Sequence, residues 1–352
     1  MKSILVTGGA GFIGSHTCFC LLKKGFCVYV LDSFVNSSPV ALERVGLLLK
    51  KEDIDIKSNL FIFKGDLRNE CVLKMVFEDA LEKNKPIEGV IHFAGLKAVG
   101  ESNKFPLEYW DSNVSGTINL LKIMDKYSCF RIVFSSSATI YETKNNNLLK
   151  ENDKLFPTNP YGVTKLVIEK MLNDAYKSKS DKWKIINLRY FNPIGAHSSG
   201  LIGEDPLGKP NNLFPQITKV AIGELKKIEI FGSDWPTRDG TGVRDYIHVM
   251  DLAEGHLLAL ELLFREKSQI RSMNLGTGKG TSVIELIKSF EKINKVKIPY
   301  SFSNRRDGDN AFVVADNNLA KSILKWQPKM KIDDMCRDGY LWQINNPNGY
   351  LK

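Results

Sequence analysis

Short β-rich runs, apolar at most positions, alternate with amphipathic stretches through the first half of the chain. The runs fall at residues 4–6, 27–31, 60–63, 89–93, 131–134 and 183–188, and the stretches at 17–24, 72–81, 114–127 and 160–176. A run that is apolar at every position, rather than at every second one, is a strand buried on both faces. Serial strand–helix alternation of such runs predicts an α/β fold: a doubly wound parallel sheet covered by helices. Beyond residue 189 the texture changes, with Asn-Pro, Gly-rich and Asp-Pro segments at 192–215 and 232–243 that predict long structured loops. A boundary near residue 190 is therefore expected. Residues 1–190 would form the first domain. Residues 191–352 would form a second, smaller α/β domain over the carboxyl ends of the strands, where ligands of such sheets bind. Residues 246–263 read as a helix, and the segment of about 244–263 is expected to pack back on the first domain. Residues 144–153 read as a polar, Asn-rich surface turn.

A length of 352 residues with 43% apolar content suits a large core and two lobes. The chain runs from Met1-Lys2-Ser3 straight into its first strand, and no run reaches the roughly 18 apolar residues of a membrane span; a soluble, cytoplasmic protein without a membrane partner is expected. Cysteines at 18, 20, 27, 71, 129 and 336 form no C-x-x-C pair, which suits a reducing compartment, and five histidines without ligand spacing predict no metal. The net charge of +9 comes from scattered lysines without a nucleic-acid motif, so it predicts a generally basic surface that attracts anionic substrates, and no nucleic-acid partner.

The first apolar run opens into Thr7-Gly-Gly-Ala-Gly-Phe-Ile-Gly-Ser-His16. Gly8, Gly11 and Gly14 are spaced G-x-x-G-x-x-G, which allows a sharp turn, close approach of a pyrophosphate and tight helix–strand packing. The free amides of the following helix, including those of Phe12 and Ile13, point its positive dipole end at that anion. The second run ends in Asp32-Ser33, where a carboxylate accepts hydrogen bonds from an adenosine ribose and repels a 2′-phosphate; the spacing predicts a Rossmann-like domain that binds NAD rather than NADP.

Tyr161 and Lys165 share one face of a helix opened by Pro160. A phenol with a pKa of about 10 is a poor base, but a nearby ammonium and a positive nicotinamide ring are expected to lower it until it can take a hydroxyl proton. The strand at 131–134 runs into Ser135-Ser-Ser-Ala-Thr139, placing hydroxyls at its carboxyl end.

Together the glycine turn, the Ser/Thr strand end and the Tyr/Lys helix resemble the extended short-chain dehydrogenase/reductases. Longer blocks narrow the resemblance to the UDP-galactose 4-epimerase family: Gly65-Asp-Leu-Arg-Asn-Glu70, His92-Phe-Ala-Gly-Leu-Lys97, Ser135-Ser-Ser-Ala-Thr-Ile-Tyr141, Arg189-Tyr-Phe-Asn-Pro-Ile-Gly-Ala-His197, Gly203-Glu-Asp-Pro206, Pro210-Asn-Asn-Leu213, Asp239-Gly-Thr-Gly-Val-Arg-Asp-Tyr-Ile-His-Val-Met-Asp251 and Arg305-Arg-Asp-Gly-Asp309. Carried over by position, the resemblance implies that Ser137, Tyr161 and Lys165 are catalytic, with Thr139 beside the sugar. It implies that Asp66 and Leu67 hold the adenine, and that Phe93, Ala94, Gly95, Lys97, Asn113, Ser135 and Tyr190 complete the cofactor site, with Lys97 also touching substrate. Asn192, Asn212, Leu213, Phe231, Arg244, Arg306 and Asp309 would grip the UDP, arginine suiting phosphate through its bidentate fork.

The resemblance further implies an NAD-dependent isomerase of nucleotide-sugar and galactose metabolism. It would interconvert UDP-galactose and UDP-glucose through a 4-keto intermediate, with transient reduction of tightly bound NAD, and would be a homodimer. Val313 falls at a gate beside the hexose 2-substituent, and its intermediate size implies acceptance of N-acetylated UDP-hexoses as well. Glu142 replaces the family's usual glycine and puts the local turn in question. A 4,6-dehydratase would need an Asp-Glu pair after the strand-end Ser/Thr, which Ala138-Thr139-Ile140 does not provide. A dinucleotide sensor without catalysis is disfavoured by the retention of Ser137, Tyr161 and Lys165.

Overall fold

The computed structural model describes residues 1–142, 147–206, 212–306 and 308–350. Its strands are β1 (Ser3–Thr7), β2 (Cys27–Asp32), β3 (Leu60–Lys64), β4 (Ile87–His92), β5 (Arg131–Ser137), β6 (Lys184–Tyr190), β7 (Asn192–Ile194), β8 (Ile228–Phe231), β9 (Val243–His248), β10 (Gln269–Leu275), β11 (Gly280–Ser282), β12 (Tyr300–Ser303) and β13 (Phe312–Val313). The helices are α1 (Phe12–Lys23), α2 (Pro39–Lys50), α3 (Glu70–Glu82), α4 (Val99–Lys104), α5 (Pro106–Tyr109), α6 (Gly116–Lys126), α7 (Pro160–Ser178), α8 (Leu213–Ala221), α9 (Val249–Arg265), α10 (Val283–Asn294), α11 (Asn318–Ile323) and α12 (Ile332–Asn345).

A seven-stranded sheet has the order β10-β6-β5-β4-β1-β2-β3, with parallel pairing from β3 through to β5. The chain winds outward from β1 to β3 and returns to the other side of β1 for β4. Winding therefore reverses between β1 and β4, and ligands of such sheets bind at the carboxyl ends flanking that reversal. Every residue of β1 and β2 is buried, which is why their sequences are apolar without alternation. Leu5, Tyr29, Leu73, Phe77, Val90, Leu120, Phe134 and Leu172 belong to one core cluster, each such side chain contributing about 1.5–3 kcal/mol of burial.

Two compact units divide the chain: 1–140, 157–189 and 253–273 make the first, and 141–156, 190–252 and 274–352 the second. Neither is the continuous stretch that a single cut near residue 190 describes. In the second unit β9 pairs antiparallel with β11 and parallel with β7 and β13, while β8 and β12 form a parallel pair. Phe214, Ile217, Ile230, Tyr246, Leu286, Phe290 and Met335 form its core. A capping box starts α10: the Ser282 hydroxyl accepts from the Glu285 amide at 3.0 Å, and the Glu285 carboxylate from the Ser282 amide at 2.8 Å.

One expectation from sequence is corrected and a second is refined. The helix read over 246–263 begins at Val249, because Tyr246, Ile247 and His248 complete β9 against Asn192–Ile194. Of the expected surface turn at 144–153, residues 144–146 lie outside the described residues. The remainder is mostly exposed turn, as expected, apart from Leu149, which is 6% exposed; its amide donates to the Val314 carbonyl, and its own carbonyl accepts from Asp316 and Asn274.

Candidate active site

The carboxyl ends of the central strands gather most of the residues singled out in the first half of the sequence. Register sets Thr7 opposite both Leu31 and His92, and His92 opposite Phe134, so the segments that follow these strands emerge at one edge. After β1, Gly8 has φ +69°, and a Cβ there would stand 2.8 Å from the Ala94 amide nitrogen. A Cβ on Gly14 would stand 2.2 Å from the Gly8 carbonyl, whereas one on Gly11 would meet only that oxygen, at 3.4 Å. Gly8 and Gly14 are thus filled by the fold itself, and Gly11 faces open space. Gly11 is the N-cap of α1, so Phe12 and Ile13 bring first-turn amides that no intrahelical carbonyl serves, with no acidic residue in that turn.

Asp32 ties this turn together. Its Oδ2 accepts from the Ala10 amide at 2.9 Å, and its Oδ1 from the Phe34 amide at 2.9 Å and the Ser37 hydroxyl at 2.8 Å, leaving Ser33 in the loop it braces. After β3, Arg68 donates to both oxygens of Asp66, at 3.0 and 2.7 Å, and holds that carboxyl below the usual range; Leu67 beside it is 7% exposed. Phe93, Ala94 and Gly95 follow β4 directly, with exposed Lys97 two residues on.

Asn113 stands in a π-helical turn, Trp110–Ser115, inserted between α5 and α6. Its Oδ1 accepts from the Leu96 amide at 2.7 Å, and its Nδ2 donates to the Leu96 carbonyl and the Thr164 hydroxyl, both at 3.1 Å. The side chain therefore clamps the loop after β4 to α7. Gly95 is needed there, at φ +152°, because a Cβ would stand 2.9 Å from Asn113 Oδ1.

The Asn159 side chain caps α7, accepting from the Gly162 amide at 2.9 Å, with Pro160 in the first turn. Gly162 lets the helix approach the 3₁₀ turn Ala138–Ile140, since a Cβ would stand 2.9 Å from the Thr139 carbonyl. This docking brings Tyr161 and Lys165, 7% and 4% exposed, against the end of β5. Lys165 Nζ donates to the Ser135 carbonyl at 2.8 Å, its only hydrogen bond among the described residues, and lies 5.9 Å from the Tyr161 ring centre. Burial pulls its pKa down to about 8. The Ser137 hydroxyl accepts from Thr139 Oγ1 at 3.0 Å and from the Thr139 amide at 3.2 Å.

The phenol differs from expectation. Burial raises the Tyr161 pKa, only Ser137 opposes it, and the lysine charge does not reverse the sign. His92 beneath the cluster is held neutral, its pKa pulled down to about 3 by burial and then by the Lys165 charge. It bonds the Thr7 hydroxyl at 2.7 Å and the Thr117 hydroxyl at 2.9 Å.

Sequence reasoning missed Glu169, one turn beyond Lys165. Its Oε1 accepts from Arg189 Nε at 3.0 Å and from the Ser136 hydroxyl at 2.5 Å, and its Oε2 from Arg189 Nη2 at 2.6 Å. The signal was the spacing Tyr161, Lys165, Glu169, which puts all three on one helix face.

In the second unit Phe231, Arg244, Arg306, Asp309 and Val313 come together. Arg306 Nε donates to Asp309 Oδ2 at 3.0 Å, and its guanidinium carbon lies 4.4 Å from the Phe231 ring centre. Arg244 Nη2 is 4.0 Å from Asp309 Oδ1, and Val313 pairs in register with Arg244. Burial lowers the Arg244 pKa. Its neighbour Asp245, fully buried and given no role by the sequence reading, accepts from Thr277, Gly278 and Ala315 and fixes β9 from beneath. Asn192 pairs with Tyr246 on the same strand, and Tyr190 ends β6. Asn212 stands at the N-cap position of α8 beside Leu213 without a capping hydrogen bond from its side chain, and its one hydrogen bond among the described residues runs to Glu204, not to this cluster. Of the Pro210–Leu213 block, residues 210–211 lie outside the described residues, as does residue 307 of the Arg305–Asp309 block. Glu142 does not adopt a left-handed backbone, so the turn does not require glycine; its amide donates to the Lys154 carbonyl at 2.9 Å.

Residues 5–339 match the family model described as GDP-mannose 4,6 dehydratase. The chain is 49% identical over 348 residues to UDP-glucose 4-epimerase of Bacillus subtilis (strain 168), covering 99% of this chain and 98% of that one. It is also 49% identical over 349 residues to UDP-glucose 4-epimerase 2 of Arabidopsis thaliana, covering 99% and 97%. Among solved structures it is similar to UDP-glucose 4-epimerase from Bifidobacterium longum in complex with NAD+ and UDP, with a TM-score of 0.91, 47% identity and coverage of 99% and 100%. It is similar as well to the enzyme from Stenotrophomonas maltophila with bound NAD and formylated UDP-arabinopyranose, with a TM-score of 0.92, 44% identity and 99% coverage of each chain.

Proposed function

Since the chain belongs to the UDP-glucose 4-epimerase family, we propose that it interconverts UDP-galactose and UDP-glucose with a tightly held NAD. The observation that carries this reading is the buried Ser137–Tyr161–Lys165 cluster at the same sheet edge as the glycine turn. The residues present fit the cofactor: the amino end of α1 is open at Gly11, and among the described residues Lys165 has one acceptor for three ammonium hydrogens. The amides of Phe12 and Ile13 would hold the pyrophosphate, with Gly8 and Gly14 shaping the turn. Asp32 and Ser33 would hold the adenosine ribose, and Asp66 and Leu67 the adenine. Phe93, Ala94, Gly95, Lys97, Asn113, Ser135, Tyr161, Lys165 and Tyr190 would line the remainder.

When bound, NAD would supply a reversible hydride acceptor for the sugar C4, with no net redox change. Tyr161 Oη then takes the proton of the 4-hydroxyl and gives it back, and Ser137, with Thr139 beside it, hydrogen-bonds the same oxygen. Lys165, already short of acceptors, would hold the nicotinamide ribose and stabilise the phenolate. Arg244 and Arg306 grip the diphosphate, with Asn192, Asn212, Leu213, Phe231 and Asp309 around the UDP, so binding energy is anchored away from the reacting carbon. Lys97 and Val313 would contact the hexose, and the modest size of Val313 suits N-acetylated substrates.

We also read the protein as a cytoplasmic homodimer of carbohydrate metabolism. No helix among the described residues is long and apolar enough to cross a membrane. Exposed Leu107 and Trp110, the latter lining an open groove of about 300 Å³ with Pro157, Pro160 and Val163, support a self-association face. Incubating the purified protein with UDP-galactose should yield UDP-glucose without accumulation of NADH, and with GDP-mannose no dehydrated sugar. Failure to convert UDP-galactose overturns the reading. Conversion of UDP-N-acetylglucosamine that Val313→Tyr abolishes selectively supports the gate, and a monomer on gel filtration refutes the dimer.

A further inference from the structure

Behind the catalytic cluster lies a buried charged group that the reaction itself does not use. Glu169 and Arg189, with side chains 7% and 5% exposed, form a bidentate ion pair, and the Ser136 hydroxyl completes the carboxylate. Tyr161, Lys165 and Glu169 lie at positions i, i+4 and i+8 of α7. Opposite them are three consecutive residues of β5: the Ser137 hydroxyl faces Tyr161, the Ser135 carbonyl accepts from Lys165, and the Ser136 hydroxyl donates to Glu169. Arg189 on β6 supplies the second anchor. The helix is thus fixed to two strands by a contact that tolerates no slip along its axis, because a fork of two parallel hydrogen bonds sets both distance and direction.

A buried pair of this kind contributes little net stability, since desolvation offsets the attraction; its best-attested use is to select one arrangement over others. Resting on the epimerase reading for its kinetic readout, we propose that the Ser136–Glu169–Arg189 clamp is a positioning device, setting the height of α7 so that Tyr161 and Lys165 meet the reacting sugar in register. It also keeps the site's charge balanced. With the pair intact and its charges balanced, burial is the leading influence on Tyr161 and Lys165. The other titratable groups around the two are Tyr109, which senses Tyr161, and neutral His92, which senses Lys165. Removing only the carboxylate leaves an unbalanced guanidinium, which favours phenolate and disfavours ammonium.

The test compares Glu169→Gln, Ser136→Ala and the uncharged double variant Glu169→Gln/Arg189→Met with the wild type as full-length enzymes. The Tyr161 phenol is followed by ¹³C-tyrosine NMR, assigned with Tyr161→Phe. Glu169→Gln should move the Tyr161 titration and the acid limb of kcat to lower pH, and lower kcat by up to about 10²-fold, the cost of a misplacement near 1 Å, with KM for UDP-galactose nearly unchanged. The double variant should restore the titration but not kcat, and Ser136→Ala, which keeps the ion pair, should leave the titration in place and lower kcat less. A folded Glu169→Gln enzyme with the wild-type titration and kcat overturns the proposal. If that variant does not fold, wild-type kcat in the double variant overturns it instead. A wild type inert towards UDP-galactose defeats the epimerase reading alone, because the NMR titration still reports on the clamp.

Discussion

Lys165 carries the clearest energetic cost at the scale of single residues. An unfolded lysine keeps its proton to about pH 10.5, whereas the folded one releases it near 8 because burial disfavours the ammonium. Between those values the unfolded chain binds more protons, so stability rises with pH across the window, and below it the buried charge costs about 3 kcal/mol. Nucleotide-free Lys165→Met should therefore be the more stable protein at pH 7, and urea unfolding from pH 7 to 10.5 should show its advantage shrinking. An advantage constant with pH would refute the assignment of the strain to this ammonium. Tyr161 and Lys165 were legible as a pair from four-residue spacing, but the sign of the phenol's shift was not, because burial is a property of the assembled fold. Glu169 was overlooked for a related reason: its spacing marks the face, but a glutamate on a helix reads as solvated until a partner such as Arg189, twenty positions away, is brought beside it.

Elements explain why three glycines with one spacing do different work. At Gly14 an added methyl would press on the Gly8 carbonyl and the Gly9 backbone, at 2.2 and 2.8 Å, and backbone cannot yield as a side chain can. Gly14→Ala should cost about 1–3 kcal/mol in thermal unfolding, or prevent folding. Gly11→Ala should stay within about 1 kcal/mol of wild type, having ordinary contact only, yet retain less NAD after gel filtration because its methyl stands at the open end of α1. Equal losses of stability in the two variants would refute this division. The strands on either side of the turn were readable because β1 and β2 are buried on both faces, which leaves an unbroken apolar run. Less was readable where partners decide: residues 246–248 continue a helical pattern in sequence but pair with β7 as strand, and Leu149 sits in a polar stretch yet is pinned against Val314. The π-helical turn that orients Asn113 has no sequence signature, since it is one extra residue accommodated within a helix.

For the whole molecule, the two units imply a separation of labour that kinetics can resolve. In the first unit the proposed chemistry rests on Tyr161, whose hydroxyl neighbour is Ser137; in the second, the proposed grip on UDP rests on Arg306, whose partners are Asp309 and Phe231. No partner is shared among the described residues. Tyr161→Phe should lower kcat by about 10²–10⁴-fold through loss of proton transfer, while UDP binds by calorimetry as it does to wild type. Arg306→Lys keeps the charge but loses the planar fork, so UDP affinity should fall by about tenfold, the worth of one charge-assisted hydrogen bond. Its kcat at saturating UDP-galactose should change far less. Residues without common partners combine additively in free energy, so the double variant should show the product of the two effects on kcat/KM. If Tyr161→Phe weakened UDP binding as much as Arg306→Lys does, or if the double variant were no worse than Tyr161→Phe alone, anchoring and chemistry would be one function and not two. The loosely held hexose that epimerisation requires, turning between its two faces while the UDP stays fixed, would then lose its physical basis.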